Sequence, residues 1–164
     1  TIIVRKGGIS EGQNGFLPEY SAFWLFPTYV HQAQQGLREN EWQEPDASRS
    51  PEAPVTIRSL AKVESIDRLE SPDSLDALSP FHVWTEETLL KRFHYRTPGL
   101  WVLGVQIFDA DRGSTITPTV DQLGCKSWVP LSSPLSTEDL RPVRALSEWE
   151  RQNRLLREVI GNDP

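Results

Sequence analysis

Polar side chains that can bind an anion occur at the end of the first β-branched run. Lys6 closes the segment Thr1–Lys6 and is followed by Gly7 and Gly8. A Gly-Gly backbone can approach a ligand closely, and a lysine ammonium beside it can hold a phosphate or a carboxylate. Alternatively, the two glycines simply form a hairpin turn. Neither a Walker sequence nor a G-x-G-x-x-G pattern occurs, so this is no nucleotide-phosphate loop.

A second candidate segment begins at Thr28. This residue can cap a short helix that extends to about Gln35, and free N–H groups at a helix start suit an anion. His31 can donate, accept or shuttle a proton there, with Gln32 beside it. The alternative is a partly buried histidine bonded to a backbone carbonyl.

One dense basic cluster follows the middle of the chain. Phe93 and Tyr95 alternate with its cationic side chains, and aromatic rings next to cations can stack on bases or bind phosphates. Cations at a helix end also favour the helix dipole without any ligand. The members of this cluster are Lys91, Arg92, His94 and Arg96.

Metal and nucleophile chemistry finds little support. The possible ligands are scattered without a short pair such as H-E-x-x-H or C-x-x-C, and we predict neither a metal nor a cofactor. Cys125 between a glycine and a lysine could be an activated thiol, but a small buried thiol is the commoner case. Metal-dependent nucleases of the common α/β type need an acidic residue and then an acid-x-lysine sequence on adjacent strands. Glu64 and Asp67 are not followed by a lysine in that position. The ligand candidates are His31, His82, His94 and Cys125.

These residues must be positioned by short strands and a few helices. We predict an α+β fold: a mixed, mainly antiparallel sheet of about five strands, two short helices and one C-terminal helix. Ser21–Phe26 is predicted as a hairpin partner of the first strand, and Asp109–Gly113 as a turn. Ser147 and Glu150 form a capping-box pattern for the last helix. The predicted strands are 1–6, 21–26, 55–66, 100–108 and 126–131, and the predicted helices are 28–35, 86–93 and the segment that ends at Gly161.

Composition indicates one domain over residues 1–164 with two acidic loop insertions, at about 38–54 and 70–80. Residues 38–76 carry −5 of the net charge of −6, so the remainder is nearly neutral. No apolar run approaches the roughly 18 residues of a membrane span. A single Cys and the lack of a basic-then-apolar start favour the cytoplasm. The chain contains no Met, so we expect that a native N-terminal segment precedes Thr1.

Several motifs are dispersed along the chain in a fixed order: Arg5-Lys6-Gly7-Gly8-Ile9, Leu25-Phe26-Pro27-Thr28 with His31-Gln32, His82-Val83-Trp84-Thr85, Arg92-Phe93, and Gly124-Cys125-Lys126-Ser127-Trp128. Together they resemble one bacterial family common in cyanobacteria, domain of unknown function family 1802. The resemblance covers nearly the whole chain apart from the two acidic loops, and members look to have an upstream Leu-Lys-Glu-Trp-type segment that this chain lacks. It implies no activity and no catalytic residues.

Three functional hypotheses follow, and whether the protein is an enzyme stays open. The first is a binding or assembly module that docks a macromolecular partner, most simply a protein. The second is a small enzyme or binding protein for a phosphate- or carboxylate-bearing ligand, held by Lys6, Thr28, His31, Gln32, Arg92 and His94. The third, nucleic-acid binding through residues 91–96, ranks last because the domain is acidic.

Overall fold

The computed structural model describes residues 1–6, 20–28, 36–41, 50–123 and 128–161. The described elements are five strands, two α-helices and three short 3₁₀ helices. The strands are β1 (Ile2–Arg5), β2 (Ala22–Trp24), β3 (Val55–Leu69), β4 (Leu100–Ile116) and β5 (Leu140–Pro142); the α-helices are α1 (Glu86–His94) and α2 (Leu146–Ile160); the 3₁₀ helices are Glu39–Glu41, Pro72–Ser74 and Asp76–Phe81.

The strands form one sheet in the order β1-β4-β3-β2, and β5 pairs with the distal part of β4. Every described pairing is antiparallel, so the predicted α+β class with a mainly antiparallel sheet is confirmed. The predicted hairpin between the first two strands is wrong. Since β4 pairs with β1 and β3 pairs with β2, the two short strands lie at opposite edges of the sheet.

The long β3–β4 pair is the centre of the fold. β4 continues to Ile116, so the predicted turn at 109–113 is wrong: Asp109 pairs with Ser59, whose Oγ donates to the Asp109 carboxylate at 2.6 Å. Polar residues there belong to the exposed end of a strand pair. β3 extends beyond its predicted end, with register shifts between Ile57 and Ser59 and between Val63 and Ser65.

The predicted strand at 126–131 is not seen in its described part, residues 128–131. The edge of β4 is instead occupied by β5, which follows a proline-rich stretch and carries no strong strand pattern. The predicted helix 28–35 lies outside the described residues after Thr28.

Both α-helices form where their sequences predict them. The Thr85 hydroxyl accepts from the Thr88 N–H at the start of α1, which is the predicted N-cap. Gly161 ends α2 with a left-handed φ of 78°. The predicted capping box is wrong: α2 begins one residue before Ser147, and Ala145 O accepts from the N–H groups of Glu148 and Trp149.

The main core lies between one face of the sheet and the helices. Three helices each contribute a leucine to this core: Leu78 comes from the 3₁₀ helix Asp76–Phe81, Leu89 from α1 and Leu156 from α2. They belong to one cluster with Leu100 and Val102 of β4. A smaller apolar cluster occupies the other face around Ala61. The segment 70–80, predicted as a loop, therefore contributes two buried leucines. Leu75 and Leu78 are three residues apart, which is one turn of a 3₁₀ helix, so both can face the core.

No described helix is long and apolar enough to cross a membrane.

Candidate functional site

Lys6 lies beneath the C-terminal end of α1. Its Nζ donates to Phe93 O at 2.7 Å, to Gly99 O at 2.8 Å and to Thr97 O. An ammonium has three N–H donors, and three backbone carbonyls of the α1–β4 connection accept them. This geometry favours a structural role for Lys6, in which one cation neutralises the negative end of the helix and holds the turn.

The basic cluster of residues 91–96 surrounds the same helix end. Lys91 forms an exposed i,i+4 ion pair with Glu87 at 2.6 Å, and it lowers the pKa of the Glu87 carboxyl through a hydrogen bond and its charge. The Arg92 guanidinium lies 5.0 Å from the Trp84 ring, and that of Arg96 lies 5.1 Å from Tyr95. Each of these cations contacts a protein group.

His94 and Thr28 complete the predicted set in the described residues. His94 is exposed and contacts the Phe93 ring edge at 5.1 Å. Thr28 is exposed too and lies far from Lys6. The chain leaves β2 at Leu25, whose N–H donates to Ser59 O, and Ser59 is ten residues along β3 from Leu69, which lies at the Lys6 end of the sheet. Lys6, Arg92 and His94 thus share the end of α1. His31 and Gln32 lie outside the described residues.

A groove of about 520 Å³ opens between β1 and the segment that precedes α1. Residues 1–3 line it from the side of β1, residues 80–84 line it from the segment before α1, and α2 contributes Gln152. Its lining residues are Thr1, Ile2, Ile3, Arg38, Glu41, Pro80, Phe81, His82, Val83, Trp84, Arg144 and Gln152.

Arg38 is fixed at this groove by the 79–82 segment. Its Nη1 donates to Ser79 O at 3.2 Å and to Ser79 Oγ at 3.1 Å, and its Nη2 donates to His82 O. The backbone is held as well, because Arg38 N–H donates to Val83 O at 2.9 Å. Nε is buried and has no hydrogen-bond partner in the described structure.

His82 is 8% exposed, and its two ring nitrogens differ in environment. Nδ1 accepts from Trp84 N–H at 3.2 Å, so in the neutral ring the proton sits on Nε2. Burial, and then the charge of Arg38, lower the pKa of His82 below its ordinary 6.5. Nε2 is a buried donor for which the described residues offer no acceptor.

The remaining lining gives the groove an apolar wall and an excess of cations. Phe81, Val83 and Trp84 supply the apolar surface, and Val83 is 40% exposed. Arg144 carries its charge at the rim, where it pairs with Glu148 in an i,i+4 contact. Such a site can bind a group with negative oxygens attached to an apolar body.

Sequence reasoning missed Arg38 and considered His82 only as a metal ligand. Arg38 stands at the border of the predicted acidic loop, and nothing local marks it as fixed. The stronger signal was the motif His82-Val83-Trp84-Thr85 directly before a capped helix. Within the described ranges, no group of three or more His, Cys, Asp or Glu side chains is placed to hold a metal ion.

Comparison with known protein families finds a match for this chain. A family model described as "Domain of unknown function (DUF1802)" matches residues 1–154, which confirms the resemblance that the dispersed motifs indicated. No curated protein and no solved structure matches this chain.

Proposed function

We propose that this chain, which belongs to the DUF1802 family, is a binding protein whose groove holds the anionic group of a ligand. One observation carries the proposal: Arg38 Nε and His82 Nε2 are buried donors without a partner among the described residues, and both residues line the same groove. A buried donor without an acceptor costs about 1–3 kcal/mol. A negatively charged oxygen is the strongest partner for such donors.

The pKa of His82 fits this role. A histidine held neutral by burial and by Arg38 keeps Nε2–H as a donor and does not add a second positive charge beside the guanidinium. The oxygens of a ligand carboxylate or phosphate would then accept hydrogen bonds from both Arg38 Nε and His82 Nε2. Because both donor atoms are almost closed to solvent, we expect a small displacement of the groove wall when the ligand enters.

The cluster at the end of α1 supports ligand binding less well. Lys6 is bonded to three carbonyls, Lys91 is paired with Glu87, and Arg92 stacks on Trp84. The last contact has a consequence for the groove, since Arg92 contacts the ring of Trp84, which is one of the lining residues. Nucleic acid would also meet a domain with a net charge of −6.

A pair of substitutions at His82 tests the proposal. His82→Asn keeps an acceptor for Trp84 N–H near the Nδ1 position and removes the Nε2 donor; His82→Gln places an amide donor near Nε2 and removes the acceptor. We expect His82→Asn to weaken binding about 10–100-fold, the equivalent of one hydrogen bond to a charged group. His82→Gln should retain most of the affinity.

Succinate and inorganic phosphate serve as probes, with binding followed through the NMR signals of the His82 and Trp84 rings. Arg112→Gln is the matched charge control, because Arg112 is exposed and lies far from the groove. It is eight residues along β4 from Gly104, the residue opposite Ile2, which corresponds to roughly 27 Å along the strand. Saturable shifts of the Trp84 ring signals that persist in this control, and that require about 10–100-fold more anion in His82→Asn, support the proposal. Equal binding by His82→Asn and the unmodified protein, or no shift with either anion, would refute it.

A further inference from the structure

The groove runs along a strand edge that no described residue pairs with. β1 is the terminal strand of the sheet order, and its only described partner is β4. Val105 N–H donates to Thr1 O, and the register places Ile3 opposite Leu103. In an antiparallel pair the hydrogen-bonding groups of alternate residues point to opposite edges. The N–H and C=O groups of Ile2 and Val4 therefore point away from β4.

Thr1 and the strand residues Ile2 and Ile3 line the groove, so the start of this edge belongs to the candidate binding site. An exposed strand edge is a template for another extended chain. Proteins that bind peptides in this way gain affinity from main-chain hydrogen bonds and selectivity from pockets for alternate side chains. Three residues of strand span about 10 Å, which is room for a segment of three or four residues.

The side chains around the edge select the charge of such a segment. Arg38 and Arg144 line the groove together with the neutral donor His82, and Glu41 is the one carboxylate among the lining residues that the structure describes, so the groove favours negative charge. Phe81 and Val83 offer apolar contact on the wall opposite β1. Because side chains of an extended chain alternate, a segment in which acidic and apolar residues alternate matches both features.

We propose that the groove binds an acidic polypeptide segment of a partner protein as a strand added to the free edge of β1. This inference rests on the proposed anion site: Arg38 and His82 would hold one carboxylate of the segment, and Ile2 and Val4 would bond its backbone. The domain itself carries −6, so long-range attraction does not assist association. Recognition is local, through the groove cations and the strand edge.

The test compares three probes on the whole chain. The first is a pool of blocked hexapeptides in which Glu or Asp alternates with apolar residues. The second is the same pool with N-methyl groups on alternate amides, in both registers, which removes main-chain donors but keeps every side chain. The third is succinate. Amide hydrogen exchange at Ile2 and Val4 reports directly on strand addition.

The inference predicts that members of the first pool bind at least tenfold more tightly than succinate and slow amide exchange at Ile2 or Val4 at least tenfold. N-methylation in one register should weaken binding tenfold or more. Arg112→Gln should behave like the unmodified protein, and His82→Asn should weaken both peptide and succinate.

Two failures can be told apart. If succinate binds but no peptide binds more tightly, or if N-methylation weakens peptide binding in neither of the two registers, the strand-addition inference is refuted and the anion site stands. If neither peptides nor succinate shift the His82 signals, both proposals fail.

Discussion

Replacement of Lys6 by methionine separates a structural cation from a ligand-binding one. Methionine keeps much of the apolar stem and removes the ammonium, so Phe93 O, Thr97 O and Gly99 O lose their common donor. Hydrogen bonds to a charged group contribute about 1.5–3 kcal/mol net. The favourable charge at a helix C-terminus adds about 0.3–1 kcal/mol.

These contributions are not additive, because the exposed residue Thr97 can bond water once Lys6 is gone. We therefore expect Lys6→Met to lower the free energy of unfolding by about 2–4 kcal/mol. For a domain of this size that corresponds to a fall of roughly 5–15 °C in Tm. Urea unfolding measures the change, and the m-value should stay constant because the surface exposed on unfolding is the same.

Lys91→Met is the control, since Lys91 belongs to the same helix end but forms only an exposed ion pair with Glu87. Such pairs contribute little, so its unfolding curve should overlay that of the unmodified protein. Lys6→Arg should give an intermediate stability, because a planar guanidinium cannot direct its donors to three converging carbonyls as an ammonium does. Equal stability of Lys6→Met and Lys91→Met, or loss of anion affinity in Lys6→Met without loss of stability, would refute the structural assignment.

Three further predictions concern the cap, the core and pH. Thr85→Ala removes the side-chain acceptor for Thr88 N–H and should cost about 1–2 kcal/mol in urea unfolding, whereas Thr85→Ser should not. Leu78→Ala empties a site with no exposure and should cost about 2–5 kcal/mol, while Val120→Ala, 88% exposed, should leave stability unchanged. The pKa of His82 is lower in the folded than in the unfolded chain, so unfolding takes up a proton below pH 6.5. The stability that His82 contributes is therefore complete above pH 6.5 and is lost as the pH falls through the pKa of the folded state. The slope from His82, which shares the groove with Arg38, Arg144 and Glu41, is at most about 1.4 kcal/mol per pH unit, and urea curves from pH 8 to 5 should show it in the unmodified protein but not in His82→Asn.

Local signals predicted the parts of the fold that depend on neighbouring residues. Thr85 before two glutamates predicted the start of α1, and Gly161 predicted the end of α2, because caps act within one helical turn. The apolar run after Leu100 predicted the start of β4. The error at Asp109–Gly113 has a physical cause: polar residues occur both in turns and at the exposed end of a long strand pair, and only the cross-strand partner distinguishes the two.

Long-range contacts could not be predicted in this way. The partners of Lys6 are 87 to 93 residues distant in sequence, so the sequence identified a lysine suited to oxygen ligands but not that the oxygens are those of its own backbone. Arg38 and His82 are 44 residues apart and meet because residues 36–38 lie against residues 83–85, with a bridge between Leu37 and Trp84. Lys6 and Arg92 lie at the same end of α1, and their shared role in ligand binding stays a prediction. Nothing in the sequence indicated that Arg38 and His82 lie together at the groove.

The end of α1 and the groove differ in whether their buried donors have acceptors. At the end of α1, the donors of Lys6 are matched by acceptors, so the interaction contributes stability and leaves no donor for a ligand. At the groove, Arg38 and His82 are each bonded on one side and keep a buried donor on the other. Two unmatched donors cost an amount comparable to a large part of the 5–15 kcal/mol by which a domain is stable. Such an arrangement fits the proposed ligand, which would supply the missing acceptors. The same segment, residues 82–85, carries His82, the Trp84 ring that Arg92 contacts and the N-cap of α1. We therefore expect binding in the groove to change the conformation of α1 before that of other elements.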